Sequence, residues 1–335
     1  MEILASAPGK TILFGEHAVV YGEPAIAGAV NKRATIKLRE APRDISIFKS
    51  DDLGFEAELD TVAKRYTLKK GKPGIIKYIL EILSKFHDHS PIEIDLSLNI
   101  PIGSGLGSSA AVTVSTLAAL HKYHGKKFDR IFIAKKAHEI ENTVQRMASP
   151  LDTRVSTFGG LIYLSRKKKI TKFNTNFKSS FVIGYTSKRG NTGRMVKSVK
   201  SLKNRNPTII EPILKTIGKI TDDAKLAITN KQEYRLGELM NVNQGLLDSL
   251  GVNTNELSRM VYLARKSGAS GSKITGAGGG GSIIACCPKN QDKVFKALTY
   301  YDNAIKVNFS NEGVFVKEIK EGLNDNFEDW WKYIN

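Results

Sequence analysis

Four stretches of the 335-residue chain gather residue types that can do chemistry. Residues 101–111 read Pro-Ile-Gly-Ser-Gly-Leu-Gly-Ser-Ser-Ala-Ala, with Gly103, Gly105 and Gly107 alternating and Ser108 and Ser109 behind them. Glycines so spaced accept positive φ and let backbone N–H groups approach a ligand with no Cβ between them. With the positive end of a following helix, such N–H groups form an anion site whose natural guest is phosphate. The loop is not G-x-x-x-x-G-K-[ST], since no Lys follows the last Gly, and it is not G-x-G-x-x-G. A different phosphate loop is implied.

The other three stretches are shorter. Lys10, Glu16 and His17 stand close together among small residues and glycines. A lone His beside an apolar run is usually a packed core residue and a lone Lys usually a surface charge, so a site and a packing role are both open for these two. Asp152 is bracketed by Pro150 and the pair Gly159-Gly160, where a carboxylate can be an N-cap or a functional group. Gly276 and Gly278 to Gly281 place five glycines in six positions before an apolar run. Freezing that much chain freedom is costly, and close backbone approach to a ligand or to the first loop accounts for it.

These residues need elements to hold them. Residues 92–100 alternate apolar and polar, the period of a half-buried strand, and lead into the first loop. Residues 110–121 form a helix leading out, with Ser108 or Ser109 as its N-cap. A further helix over 129–144 carries Glu141 toward its C-terminal end, and an amphipathic helix over 74–87 packs near the strand. The segment 5–25 is too rich in small and polar residues to be only a strand. Residues 24–38 and 44–66 read as β structure, and the basic, irregular run 166–177 as a boundary. A strand over 181–185 opens the second half, followed by a polar loop over 186–192 and helices near 209–230, 233–250 and 254–267. Trp330 and Trp331 belong to a terminal helix that packs on the core.

Two domains suit this length, with 41% apolar residues to build both cores. The balance of 51 basic against 33 acidic residues, +18, favours an anionic partner: nucleotide, nucleic acid or membrane surface. Charge alone does not choose among them. The lysines are spread out with few interleaved aromatics, unlike a nucleic-acid platform, and read as solvated surface. No apolar run is long enough to span a membrane, and the first residues do not resemble a signal peptide. Adjacent Cys286 and Cys287 supply neither a disulfide framework nor metal-ligand spacing, which fits a reducing cytoplasm.

Taken in order, Ala-Pro-Gly-Lys10-Thr-Ile-Leu-Phe-Gly-Glu16-His17-Ala-Val-Val-Tyr-Gly, the loop at 101–111, and Lys273-Ile-Thr-Gly-Ala-Gly-Gly-Gly-Gly resemble the three ordered motifs of the GHMP small-molecule kinases. The resemblance covers nearly the whole chain. The first motif is similar to the mevalonate kinase branch: galactokinases typically show Gly-Glu-His-Thr-Asp there, and phosphomevalonate kinases usually carry Tyr where this chain has His17. Met240-Asn-Val-Asn243-Gln244-Gly-Leu-Leu also resembles that branch.

The resemblance implies an α+β, two-domain fold. Residues 1–177 would be an N-terminal domain like ribosomal protein S5 domain 2, and residues 178–335 a ferredoxin-like α/β C-terminal domain. It implies ATP-dependent phosphorylation of mevalonate at its primary hydroxyl, with ATP and Mg²⁺ as cofactors, in the cytoplasm, and is compatible with a homodimer. Pro101, Gly103, Ser104, Gly105, Leu106, Gly107, Ser108 and Ser109 would hold the nucleotide phosphates, and Ser109 and Glu141 would hold Mg²⁺. Leu151-Asp152-Thr-Arg-Val-Ser-Thr-Phe-Gly-Gly is similar to the family segment whose Asp is the catalytic base, with Lys10 beside it. Glu16, His17, Thr192 and Gly278 fall at substrate-contacting positions. Two departures stand out: the turn before Asp152 reads Met147-Ala-Ser-Pro-Leu, and Gly190 interrupts the order near Thr192. Phosphomevalonate and homoserine kinases share the nucleotide loop and are the alternatives. A non-catalytic nucleic-acid binder of the same fold is a more distant one, disfavoured by the joint presence of Lys10, Ser109, Glu141 and Asp152.

Overall fold

A computed structural model of the chain describes residues 1–72, 74–101, 103–145, 149–173, 177, 179–187 and 190–319. The chain opens with strands β1 (Glu2–Phe14) and β2 (Ala25–Glu40), then β3 (Ser46–Ser50), β4 (Phe55–Asp60) and β5 (Arg65–Lys70). Helix α1 (Ile76–Phe86) leads to β6 (Ile92–Leu98), α2 (Ser108–Tyr123), α3 (Arg130–Gln145) and α4 (Pro150–Phe158). Strands β7 (Leu161–Leu164), β8 (Ile170–Lys172) and β9 (Phe181–Tyr185) precede four helices, α5 (Thr192–Arg205), α6 (Pro207–Thr229), α7 (Glu233–Ser249) and α8 (Asn255–Lys266). Strands β10 (Gly271–Thr275) and β11 (Ser282–Cys286), helix α9 (Gln291–Tyr301), and strands β12 (Asn303–Val307) and β13 (Phe315–Ile319) complete the described chain.

The first sheet runs β13-β1-β2-β6-β3-β4-β5, with β7 and β8 added alongside β2. Its pairs are antiparallel except β3 with β6. The second sheet, β10-β11-β9-β12, is antiparallel throughout. Ile92, Ile94 and Leu96 turn one face of β6 into the core, as the alternation requires. Helix α2 is different: every residue from Ala110 to Leu120 is buried. A helix buried all round is a central one, and α2, whose polar positions there are small hydroxyl residues, packs against β1, β2, α1, α3 and α4. The loop at its N-terminus is thereby anchored to the centre of the fold, with Gly105 left exposed.

The segment 5–25 is more than a strand, as expected: β1 runs through Phe14, its small residues letting α2 and α4 pack closely, and the chain then turns through a short 3₁₀ segment at Ala18–Tyr21. Other expectations change. The basic run at 166–177 is no simple boundary, since β8 pairs antiparallel with β7 inside it. Helix α5 occupies a stretch for which no helix is expected, although Met195, Val196, Val199 and Leu202 recur at helical spacing; Val199 is buried and Leu202 packs beside it. The last described strand, β13, pairs with β1 in the first sheet, so one cut at 177/178 does not assign residues 315–319. Arg33 secures this return: buried, it donates to Ser6 Oγ (2.8 Å) and to the carbonyls of Ser6 (3.0 Å) and Gly313 (2.7 Å). The expected helix carrying Trp330 and Trp331 lies outside the described residues. No helix among the described residues is long and apolar enough to cross a membrane.

The two sheets are tied near the end of β1. Thr275 on β10 donates to the Ile12 carbonyl (2.9 Å) and shares a hydroxyl contact with Thr11 (3.1 Å). Beside them Lys273 Nζ donates to Glu16 Oε1 with both side chains out of reach of water. Burial pushes the Glu16 carboxyl up and the Lys273 ammonium down, toward their neutral forms; the pair stays net neutral wherever the proton sits. Lys273→Met leaves an unpaired buried carboxyl and is expected to cost about 3–5 kcal/mol. Adding Glu16→Gln should recover a large part of that loss in denaturant titrations.

Cys286 and Cys287 are also buried. Burial pushes the Cys287 thiol up to about 12 and raises that of Cys286. Because the thiolate is the reactive species, both should resist a disulfide-exchange reagent at pH 8 in the native protein. Both should then titrate once denaturant unfolds it.

Candidate active site

Lys10 is the point where three elements meet. Its N–H donates to the Leu106 carbonyl (2.8 Å), so β1 and the glycine loop are joined by backbone. Its side chain then lies across Gly107, where a Cβ would sit 2.9 Å from Lys10 Cγ and 3.0 Å from Cε. Gly107 is in the left-handed region (φ 67°), and so are Gly103 (φ 83°) and Gly105 (φ 68°). Past Gly107 the Lys10 ammonium reaches Asp152, 3.2 Å from Oδ2. Asp152 stands in the first turn of α4, where the helix field favours a carboxylate. It is not the cap: Ser149 Oγ accepts from the Leu151 N–H (3.3 Å), which leaves the Asp152 carboxylate, 24% exposed, to face Lys10 and open space.

The loop differs in one detail from the sequence reading. The N-cap of α2 is Gly107 itself, with no side-chain cap, so neither Ser108 nor Ser109 serves there. Both hydroxyl-bearing residues are partly exposed at the first turn. Ser109 Oγ donates instead to Glu141 Oε1 on α3 (2.8 Å). Ser104 is turned inward, its N–H and Oγ both bonded to the Pro101 carbonyl (3.3 and 2.6 Å). Its own carbonyl accepts from Ser282 Oγ at the start of β11, and this bond docks the first loop on the second sheet.

Glu141 is buried, and its carboxyl is pushed up to about 7, chiefly by loss of hydration and then by the Asp152 charge; Ser109 and Lys10 act the other way. Gln145, one turn further along α3, donates to Glu141 Oε1 (3.3 Å), Ser109 Oγ (3.4 Å) and the Tyr78 hydroxyl on α1 (2.7 Å). Gln145 and Tyr78 were not anticipated. The spacing of four from Glu141 marks Gln145 as sharing its helix face, whereas nothing local distinguishes Tyr78. The cluster offers hydroxyl and carboxylate oxygens from Ser109, Glu141 and Asp152, a donor set suited to a hard divalent cation.

The substrate-side residues divide. His17, at φ 60°, turns its Nε2 to the Ala277 carbonyl (2.9 Å). A carbonyl only accepts, so Nε2 carries the proton, and burial lowers the imidazole pKa, favouring the neutral ring. Glu16 is closed off against Lys273 and does not face open space; its Oε2 and the side chain of Asn243, both buried, lack hydrogen-bond partners among the described residues. Lys273, quoted in the third motif without a role, is therefore the partner the sequence did not reveal. Thr192 is exposed at the first position of α5, behind the Asn191 cap, whose Oδ1 accepts from the Arg194 N–H (2.9 Å). The loop before it meets the glycine run: a Cβ on Gly190 would lie 2.4 Å from the Gly278 carbonyl oxygen. Gly278 and Gly279 themselves abut the Val252 carbonyl and Met195 sulfur, at 2.2 and 2.4 Å from the position a Cβ would take. Their freedom thus serves packing between elements of the second half.

Models of the GHMP kinases N terminal domain and the GHMP kinases C terminal region match residues 74–160 and 224–303. Mevalonate kinase of Methanothermobacter thermautotrophicus is 45% identical over 94% of this chain and all of its own length. That of Saccharolobus solfataricus is 37% identical over 94% and 98%. The crystal structure of Methanococcus jannaschii mevalonate kinase superposes with a TM-score of 0.77 at 30% identity, covering 91% of this chain and 97% of that one. The L. major mevalonate kinase in complex with R-mevalonate has the same fold at 23% identity (TM-score 0.80; 91% and 94% covered). With its glycine loop, its Lys10–Asp152 pair and its Ser109–Glu141 pair in one cleft, the chain belongs to the mevalonate kinase family of the GHMP kinases.

Proposed function

We propose that this enzyme transfers the γ-phosphoryl group of ATP to the primary 5-hydroxyl of mevalonate, giving 5-phosphomevalonate and ADP for isoprenoid synthesis. The observation that carries the reading is the Lys10–Asp152 pair at the mouth of the glycine loop, beside Ser109 and Glu141. Phosphoryl transfer needs positioned reactants and neutralised charge more than covalent chemistry. Asp152 accepts the proton of the attacking hydroxyl. Lys10 lies against that carboxylate and offsets the negative charge that develops next to it. Backbone N–H groups of the loop from Gly103 to Ser109 hold the phosphates at the start of α2. His17, fixed in its tautomer by Ala277, orients the acceptor from the opposite wall.

Mg²⁺ fits the residues present. A carboxyl raised to about 7, chiefly by burial and further by a neighbouring carboxylate, marks a cluster short of positive charge, and its oxygens are hard donors. Ser109 and Glu141 would hold the ion, which supplies charge neutralisation at the phosphates when bound. Glu16 enters as a positioning residue, holding the turn that bears His17 onto Lys273. Thr192 and Gly278 border the acceptor side. We assign residues 1–177 to an N-terminal and 178–335 to a C-terminal domain, with β13 returned to the first sheet, and place the enzyme in a reducing cytoplasm, which its two unpaired thiols support.

Asp152→Asn should fold with an unchanged Tm and lose about 10²–10⁴-fold in kcat. Ser97→Ala, whose hydroxyl bonds Asp52 (2.9 Å) away from the cleft, should leave turnover intact. A coupled ADP-release assay offering mevalonate, phosphomevalonate, homoserine and galactose tests the substrate in the same plates. Near-normal turnover in Asp152→Asn removes the base assignment, and preference for another acceptor removes the substrate. Glu141→Gln should raise the Mg²⁺ concentration for half-maximal rate by about tenfold or more while leaving the loop's fold unaltered by circular dichroism.

A further inference from the structure

At the far end of α2 from Ser109, about 22 Å away along the helix axis, the ends of two helices bring together His87, Asp88 and His124. His87 closes α1 and His124 closes α2. One donor atom from each lies within 4.8 Å of the other two. His87 Nδ1 is 3.0 Å from His124 Nε2 and 3.4 Å from Asp88 Oδ1. Ligands at 2.0–2.1 Å around a tetrahedral Zn²⁺ are separated by about 3.3 Å, so these spacings match a chelating set.

Two of the three donors are also held from behind. The His87 side chain is fully buried, and its Nε2 is 2.7 Å from the Ser90 carbonyl, which can only accept. The ring proton is therefore on Nε2 and the Nδ1 lone pair is aimed at His124 and Asp88. A ligating imidazole whose other nitrogen donates to a backbone carbonyl is the usual support of a metal site. Asp88 Oδ1 is likewise fixed by the N–H (3.0 Å) and hydroxyl (2.7 Å) of Ser90. In the unliganded arrangement His124 Nε2–H donates to His87 Nδ1. Metal binding requires only that this neutral ring move its proton to Nδ1, which frees Nε2.

We propose that His87, Asp88 and His124 form a binding site for a borderline divalent transition ion, Zn²⁺ above all, separate from the catalytic Mg²⁺ site. Two imidazoles and one carboxylate select Zn²⁺ over Mg²⁺, and three protein donors leave a position for water. The ion would clasp the C-terminal ends of α1 and α2, the helix whose other end carries the phosphate loop. None of the three residues belongs to the catalytic machinery.

The test uses the full chain, freed of metal with a chelator and then titrated with Zn²⁺ by calorimetry and with Co²⁺ by visible absorption. One equivalent of Zn²⁺ should bind, Co²⁺ should develop the d–d bands of a low-coordinate N/O site, and Zn²⁺ but not Mg²⁺ should raise Tm by a few degrees. His124→Ala and Asp88→Asn, both at least partly exposed and so able to fold, should lose the bands and the Tm rise while keeping Mg²⁺-dependent kinase activity. Absence of stoichiometric Zn²⁺ binding in the unaltered chain overturns the proposal, and so does unchanged binding in both variants.

Discussion

A missing carbon atom at Gly107 is the constraint on which the cleft depends. Any side chain there would collide with Lys10, and Lys10 is the residue that joins β1, the glycine loop and α4. Its backbone holds Leu106 and its ammonium holds Asp152, so one residue fixes the distance between phosphate loop and carboxylate. Positive φ at Gly107 does a second thing. It ends the loop and begins α2 in one residue, leaving the first-turn N–H groups without a side-chain cap. An anion can use donors that a serine cap would have occupied.

The charge arrangement around that joint is deliberately unbalanced. Lys10 faces Asp152, while Glu141 nearby accepts, among the described residues, from the Ser109 hydroxyl and the Gln145 amide. A second lysine exists in the same region, Lys273, but it is locked to Glu16 with no water contact. The protein thus carries +18 overall and still leaves its catalytic carboxylates short of one positive neighbour. A surface rich in lysine attracts anions at long range; the local deficit at Glu141 reserves the inner place for a cation.

What the sequence revealed and what it hid follow from how local each cause is. The alternation of Ile92 to Leu98, the glycine spacing and the apolar residues of α2 act within a few residues, and β6, the loop and the helix appear where that periodicity places them. The Glu16–Lys273 pair spans 257 positions, and the Tyr78–Gln145 bond spans 67. No periodic pattern encodes contacts of that kind. The N-cap differs because of position: Gly107, in the left-handed region, ends the loop, so Ser108 and Ser109 already lie inside the first turn, and the Ser109 hydroxyl donates to Glu141 on α3. Strand β8 is three residues long and mostly exposed, so it leaves no pattern to read, whereas α5 does carry one, Met195, Val199 and Leu202, set among basic and polar residues that resemble a loop.

The glycine run shows more than one use of conformational freedom. Five glycines in six positions need a reason, and close approach to a ligand or to the first loop is one. Gly278 and Gly279 have a further one, since they abut Val252 and Met195, and Gly190 abuts Gly278, while a Cβ on Gly276 or Gly281 would meet open space. The run still reaches the catalytic cleft, by two other contacts: Ala277 offers its carbonyl to His17, and Ser282 binds the carbonyl of Ser104. The first fixes the acceptor side, the second the phosphate loop. Because both anchors sit on one short, tightly packed segment, displacement of the second sheet would disturb His17 and Ser104 together. Acceptor and nucleotide sites are in this way set to a common position by one piece of backbone.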